Sequence, residues 1–216
     1  MAPVNCRVDW TRRDLPAENR LNFRGNIYID CDLSEKVIDE GISETNLLRS
    51  WLRSRPAADP LFYPINLRSA EFKGVNLLAR RNYHMTGSIV DSSKSNALKL
   101  NFSTATLNGK EIVNCEAVGK PLRINSVGSI VRVSMSSLSE GGLGPEYSIQ
   151  LVHNLSGSKS RIYANYTISA SIECNIPMSG FLLGRRAWFV GTLSGWCPTS
   201  GQAMIAVISG RVLQII

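Results

Sequence analysis

The sequence predicts an all-β fold, an antiparallel β-sandwich preceded by one short amphipathic helix. Three observations carry this. Residues 161–174 alternate, with Ile162, Ala164, Tyr166, Ile168, Ala170, Ile172 and Cys174 on one parity and mostly polar residues on the other. A period of two over that length is a strand with one buried and one wet face. Asn108-Gly109 lies between two alternating runs, the chemistry of a type I′ hairpin turn. Gly/Ser-rich breaks at 137–144, 156–160 and 194–201 then punctuate the remaining apolar runs.

The elements follow in chain order. Residues 1–25 are irregular, and Asn26–Cys31 forms a first short strand. Ser34 or Ser43 caps a helix that runs to about Ser54. Leu47, Leu48, Trp51 and Leu52 supply its apolar stripe, and Pro56 and Pro60 end it. Beyond Pro60 the pattern turns to β. Strands are expected at 61–67, 71–79, 83–90, 97–106 and 111–118, then at 122–125, 129–136 and 146–153. The long run 161–174 and strands at 187–193 and 202–215 complete the set. Trp196-Cys197-Pro198 falls in a loop, with Trp196 either a core plug or an intersubunit contact. About ten strands and one early helix suggest a jelly roll, with an N-terminal segment at 1–60 and a shell domain at 61–216. No internal repeat is legible.

Composition bounds the function. Hydrophobic residues make up 44% of the chain and charged residues 19%, enough apolar material for a full core. No run of about 18 apolar residues exists, so no membrane span is expected. The charged N-terminus does not read as a secretory signal. Cys6, Cys31, Cys115, Cys174 and Cys197 are too widely spaced for a zinc site or a disulfide framework, which fits a reducing compartment. The net charge is +7. Residues 1–90 hold 13 Lys/Arg and 11 Asp/Glu, whereas residues 91–216 hold 11 and 6. The excess therefore sits in the second half, where acids are scarce, and it favours a polyanionic partner.

Catalytic equipment is missing from the pattern. His84 and His153 sit in strand-like segments without a neighbouring acid and read as structural. Asp30 and Asp32 could share a divalent ion, but they suit the lead-in to a capped helix better. No phosphate loop, nucleophile elbow or HExxH is present. No enzyme activity, metal or cofactor is expected. The basic residues remain. Arg80, Arg81, Lys120, Arg123, Lys159, Arg161, Arg185 and Arg186 lie at strand ends or loop tips, where bases can meet phosphates without reading sequence. Arg132 lies on a wet parity, and Tyr83, Tyr163 and Trp188 could stack on unpaired bases.

A basic all-β chain with Gly/Ser-rich loops, ending on the apolar strand Val212-Leu213-Gln214-Ile215-Ile216, resembles the single-jelly-roll coat proteins of small plant RNA viruses, ourmiavirus coats among them. That resemblance covers residues 60–216. It implies self-assembly, packaging of single-stranded RNA, and location in the virion and host cytoplasm. The acids interleaved with Arg7–Arg24 depart from the basic arm of many such coats and shift phosphate neutralisation to the β surface. The chain also resembles 30K-type movement proteins, which bind single-stranded nucleic acid, although Ile130-Val-Arg-Val-Ser-Met-Ser136 lacks their central Asp. A lectin-like sandwich is a further alternative.

Overall fold

The structure, a computed structural model, describes residues 19, 21–35, 47–53, 62–69, 77–78, 81–90, 98–107, 121–136, 146–154, 161–169, 180–197 and 199–213. The side chains of 30–35, 47–53 and 136, and those of 62–69 other than Ile65 and Leu67, lie outside the description. Among the described residues ten strands form: β1 Leu21–Glu35, β2 Leu47–Arg53, β3 Phe62–Ser69, β4 Arg81–Val90, β5 Leu98–Leu107, β6 Arg123–Ser136, β7 Glu146–Asn154, β8 Arg161–Ser169, β9 Arg186–Cys197 and β10 Gln202–Val212. The all-β expectation holds, and no α-helix occurs among the described residues.

The strands hydrogen-bond in the order β2-β3-β5-β4-β1-β6-β7-β8-β10-β9, with added pairings β2–β1 and β6–β9. Those two pairings close the sheet on itself twice. Strands β1–β5 make one five-stranded circuit and β6–β10 make another. In each circuit the third and fifth strands are parallel and every other neighbour is antiparallel. This is the five-stranded Greek-key barrel of the OB-fold, present twice. It replaces the two facing sheets of a jelly roll, because closure leaves each barrel without a free edge.

Several local expectations change for the same reason. The helix expected to end near Ser54 gives way to β2 over Leu47–Arg53. Leucines at i, i+3 and i+4 suit a helix, but a segment this short gains little from two isolated helical turns. Pairing with β1 on one side and β3 on the other satisfies its backbone instead. β1 likewise runs on through Asp32 and Ser34, the expected helix caps. Residues 122–125 and 129–136 join into the single strand β6, which follows Leu122 directly. Trp196 lies on β9, not in a loop, and is buried as a core plug. Leu77 and Leu78 lie outside any strand. The remainder of 71–79, the Asn108-Gly109 turn, the strand at 111–118 and residues 170–174 of the long run fall outside the described residues. The expected boundary at residue 60 falls between β2 and β3, which pair along their length.

The barrels repeat in register over most of their pairings, departing beyond Cys31 in β1 and at Met204 in β10. Ile29 pairs Ser50 as Ile130 pairs Leu151, and a register shift follows at the same point in both. Arg49 pairs Asn66 as Gln150 pairs Asn165. Leu67 meets Leu100 as Tyr166 meets Ile205. Gly87 opposite Phe102 corresponds to Gly191 opposite Val207, each beside a second matching shift.

The junction is symmetric too. β1 pairs antiparallel with β6 through Asn22↔Asn125, Phe23↔Ile124 and Arg24↔Arg123. Phe23 and Ile124 are equivalent positions, so their pair lies on a pseudo-two-fold axis that exchanges the barrels. Inside each barrel the inward parity builds the core. Ile27, Met85 and Leu100 are fully buried in the first, and Tyr166, Phe189 and Ile205 in the second. Leu77 and Phe181, just before β4 and β9, are buried at corresponding places, Phe181 with its ring centroid 6.0 Å from that of Phe189.

Candidate nucleic-acid interface

Charge is partitioned within the fold. Among residues whose side chains are described, the cations are Arg24, Arg81, Lys99, Arg123, Arg132, Arg161, Arg185, Arg186 and Arg211, and Glu146 is the one acid. Counting every described residue, the framework holds twelve Lys/Arg against four Asp/Glu, the other three acids being Asp30, Asp32 and Glu35 at the end of β1. Most acids of the chain belong to segments outside the described residues. A barrel surface of that balance attracts polyanions along its strands.

The central outer face is built on the junction. Arg24 and Arg123 are direct register partners across β1 and β6, and both are exposed. Like charges directly opposite each other in a ladder repel. Arg24 Nε donates to His84 Nε2 at 3.1 Å, which fixes the imidazole hydrogen on Nδ1, and Nδ1 donates to Asn26 Oδ1 at 2.9 Å. The pseudo-symmetric position carries the same design with other residues. Trp188 Nε1 donates to Asn125 Oδ1 at 2.8 Å, and the Arg211 guanidinium lies 5.4 Å from the Trp188 ring centroid. His84 and Trp188 are half-buried, each with one ring edge tied down and the ring on the outer surface. Neither the Arg24–Arg123 pairing nor the position of Arg211 was legible before the register was known.

A second face covers β7, β8 and β10. Asn165 Nδ2 donates to Gln202 Oε1 at 2.7 Å, and Gln150 Nε2 donates to Gln202 Oε1 at 3.1 Å and to Asn165 Oδ1 at 3.3 Å. Three strands thus present a preformed row of amides. Exposed Tyr163 and Met204 flank it, and exposed Arg132 on β6 stands opposite Gln150. Amides and an aromatic ring on a rigid sheet can hydrogen-bond base edges and stack on unpaired bases.

The expected basic residues separate into groups. Arg161 opens β8 opposite Asn154, whose N–H donates to Asn19 O at 2.9 Å. Arg186 Nε donates to Asn19 Oδ1 at 2.9 Å, so Asn19 ties the start of β9 to the end of β7, where Arg161 is the register partner of Asn154. Arg185 and Arg186 are exposed there, beside Leu182 and Leu183 in the turn before β9. Arg81 opens β4, the corresponding place in the first barrel. Arg123 stands apart from these on the central face. Arg80, Lys120 and Lys159 lie outside the described residues. Tyr83, expected to stack on bases, is instead in the core, where its hydroxyl accepts from the Leu78 N–H at 2.9 Å. Its parity points inward because its neighbour His84 takes the outer face.

One short sequence likeness between the barrels exists: Leu77-Leu-Ala-Arg-Arg81 before β4 and Leu182-Leu-Gly-Arg-Arg186 before β9 match at four of five positions. The register sets it one residue out of phase, with Leu77 equivalent to Phe181 and Arg81 to Arg185, so it does not report the duplication. The two histidines lie in different settings, His84 half-buried on the outer face and His153 in the core. His153 is fully buried, with Nδ1 donating to Val127 O at 2.9 Å and Nε2 3.0 Å from the Tyr166 hydroxyl. Hydrogen bonds from Ser200 and then Thr199 hold the Cys197 thiol below its usual range. No metal-binding group of His, Cys, Asp and Glu occurs among the described residues, and no helix there is long and apolar enough to cross a membrane.

No family model matches the chain, and no curated protein matches it in sequence. Among solved structures it resembles a deletion mutant of the single-stranded DNA binding protein from Thermus aquaticus. The TM-score is 0.56 at 10% sequence identity, with 92% of this chain and 95% of that chain covered. At that identity the likeness is one of fold.

Proposed function

We propose that this chain binds single-stranded nucleic acid, without strong sequence preference, across the outer faces of its two barrels. The observation that carries the reading is the charge of the framework, twelve Lys/Arg to four Asp/Glu among the described residues of a duplicated OB-type barrel. OB barrels bind single strands with a basic groove and exposed rings, at ~4–16 nucleotides per barrel. Here Tyr163 and Trp188 supply rings, the Gln150–Asn165–Gln202 row supplies donors and acceptors, and the opposed Arg24 and Arg123 gain a compensating anion on binding. The similarity to a single-stranded DNA binding protein, though one of fold, is in keeping with this.

The test is binding of a labelled single strand of about 30 nucleotides, roughly two barrels' worth, followed by anisotropy from low to high salt. Tight binding at low salt with a steep negative log–log slope is expected, because each phosphate neutralised on a single strand contributes about 0.7 to it. DNA and RNA strands are compared side by side, RNA being the partner expected from the sequence. Arg185→Ala combined with Arg186→Ala is expected to lower the slope by roughly 1 without unfolding the protein. No binding at low salt overturns the reading. Coat-protein assembly is the alternative reading. Closed particles in negative stain would return the coat-protein reading in its place.

A further inference from the structure

We infer that the two barrels are unequal partners, and that the β2–β3–β5 face of the first barrel is the principal, salt-sensitive anchor for the strand. This rests on the single-strand-binding reading above. Because the barrels repeat in register, each outer position of one can be compared with its counterpart in the other.

The central row is Arg49–Asn66–Lys99 in the first barrel and Gln150–Asn165–Met204 in the second. Asn66 and Asn165 coincide, and cations replace Gln150 and Met204 on either side. Lys99 lies between the buried Leu98 and Leu100, which puts this row on the face away from the core. One row along, the parallel pair Arg68↔Asn101 stands where Thr167↔Ala206 stands. In the other direction Trp51↔Pro64 corresponds to Val152↔Tyr163, and Arg53↔Phe62 to Asn154↔Arg161.

Over these nine positions the first barrel places four cations, Arg49, Arg53, Arg68 and Lys99, and the second places one, Arg161. Neither set contains an acid. The first set also holds two aromatic residues, Trp51 and Phe62, against Tyr163 alone in the second. Over these positions charge complementarity to a phosphate backbone falls on the first barrel, even with Arg132 opposite Gln150 added to the second set. The amides of the second barrel are bonded to one another and suit a weaker, less salt-dependent hold on the part of the strand that follows.

The test compares salt slopes for the same labelled strand. The full chain carrying Arg49→Gln, Arg68→Gln and Lys99→Gln is expected to lose about 2 units of slope, at ~0.7 per lost phosphate contact, and so about 100-fold in affinity at 0.1 M relative to 1 M salt. Arg161→Gln is expected to lose less than 1 unit. The mirror variant Gln150→Arg, Thr167→Arg, Met204→Lys is expected to gain about 2 units, and it reads out the same asymmetry if the first triple variant does not fold. Far-ultraviolet circular dichroism checks folding in each case. A wild-type slope in the triple variant, or an equal or larger loss for Arg161→Gln, overturns the asymmetry while leaving single-strand binding intact. Failure of the wild-type chain to bind overturns both.

Discussion

Alanine at Gly87 or at Gly191 is expected to lower stability by about 3 kcal/mol, near the top of the usual cost of overpacking. In a chain of this size that is roughly a 10 °C fall in melting temperature. A Cβ on Gly87 would run into the Asn101 carbonyl oxygen and approach Phe102 Cα to 2.7 Å. On Gly191 it would run into the Ala206 carbonyl oxygen and lie 2.8 Å from Ile205 Cγ2. In both cases the obstruction is mainly the backbone of the neighbouring strand, which cannot rotate away as a side-chain tip can. The two glycines hold the same register position, where the fourth strand of each barrel passes the irregularity in the fifth. Extra residues at such places bend a strand and tighten its twist, and a small barrel needs that bend to close. Thermal unfolding of each variant measures the effect. A loss below about 1 kcal/mol at both positions would mean that the strands do not approach as closely as described.

The second large effect is expected at Tyr166. Its ring is fully buried, with centroids 5.1 Å from Phe189 and 6.0 Å from His153. Its hydroxyl donates to Ser126 Oγ at 2.8 Å and lies 3.0 Å from His153 Nε2, and Ser126 Oγ donates to Phe189 O at 3.3 Å. Tyr166→Ala removes the ring and opens a cavity, at about 4 kcal/mol. Tyr166→Phe keeps the ring and removes the oxygen that faces a buried imidazole nitrogen, at about 2 kcal/mol. Burial pushes the phenol well above its usual range. The raised value belongs to the folded state, so above pH ~10 the unfolded chain loses a proton that the native state keeps. The stability that Tyr166 contributes is present below that pH and is lost as pH rises beyond it, by up to about 1.4 kcal/mol per pH unit. Denaturant unfolding between neutral and strongly alkaline pH should be flatter for Tyr166→Phe than for wild type. Equal slopes would contradict the burial of the hydroxyl.

The same network explains why the duplication cannot be read from the sequence. Tyr166 and Ser126 hold the register positions of Leu67 and Gly25, so one barrel has a polar chain where the other packs apolar residues. Equivalent outer positions differ as much, Arg49 against Gln150 and Lys99 against Met204. Backbone pairing tolerates such exchanges provided the inward parity stays buriable, and parity is what the sequence displays. The alternation of 161–168 therefore led directly to β8, and the apolar runs near 83–90, 98–106 and 146–153 to β4, β5 and β7. Closure depends on which strands meet across long separations, as β1 meets β2 and β4, and composition carries no trace of that. β2 was hidden because its leucines also fit a helical spacing. With it were hidden Arg49 and Arg53, half of the cations now assigned to the principal anchor. The basic ends at Arg161, Arg185 and Arg186 were legible, since pairs of bases beside strand signals need no tertiary information.

Competition binding bears most directly on the central claim. A labelled single strand of about 30 nucleotides, sized for two barrels, is held by the full chain at low salt. It is then challenged with the same strand unlabelled and with its duplex. Displacement by the single strand at near-stoichiometric concentration, with the duplex needing at least about 10-fold more, is the result expected of rings and amides that require unpaired bases. Equal displacement by duplex, or no complex to displace, would contradict it.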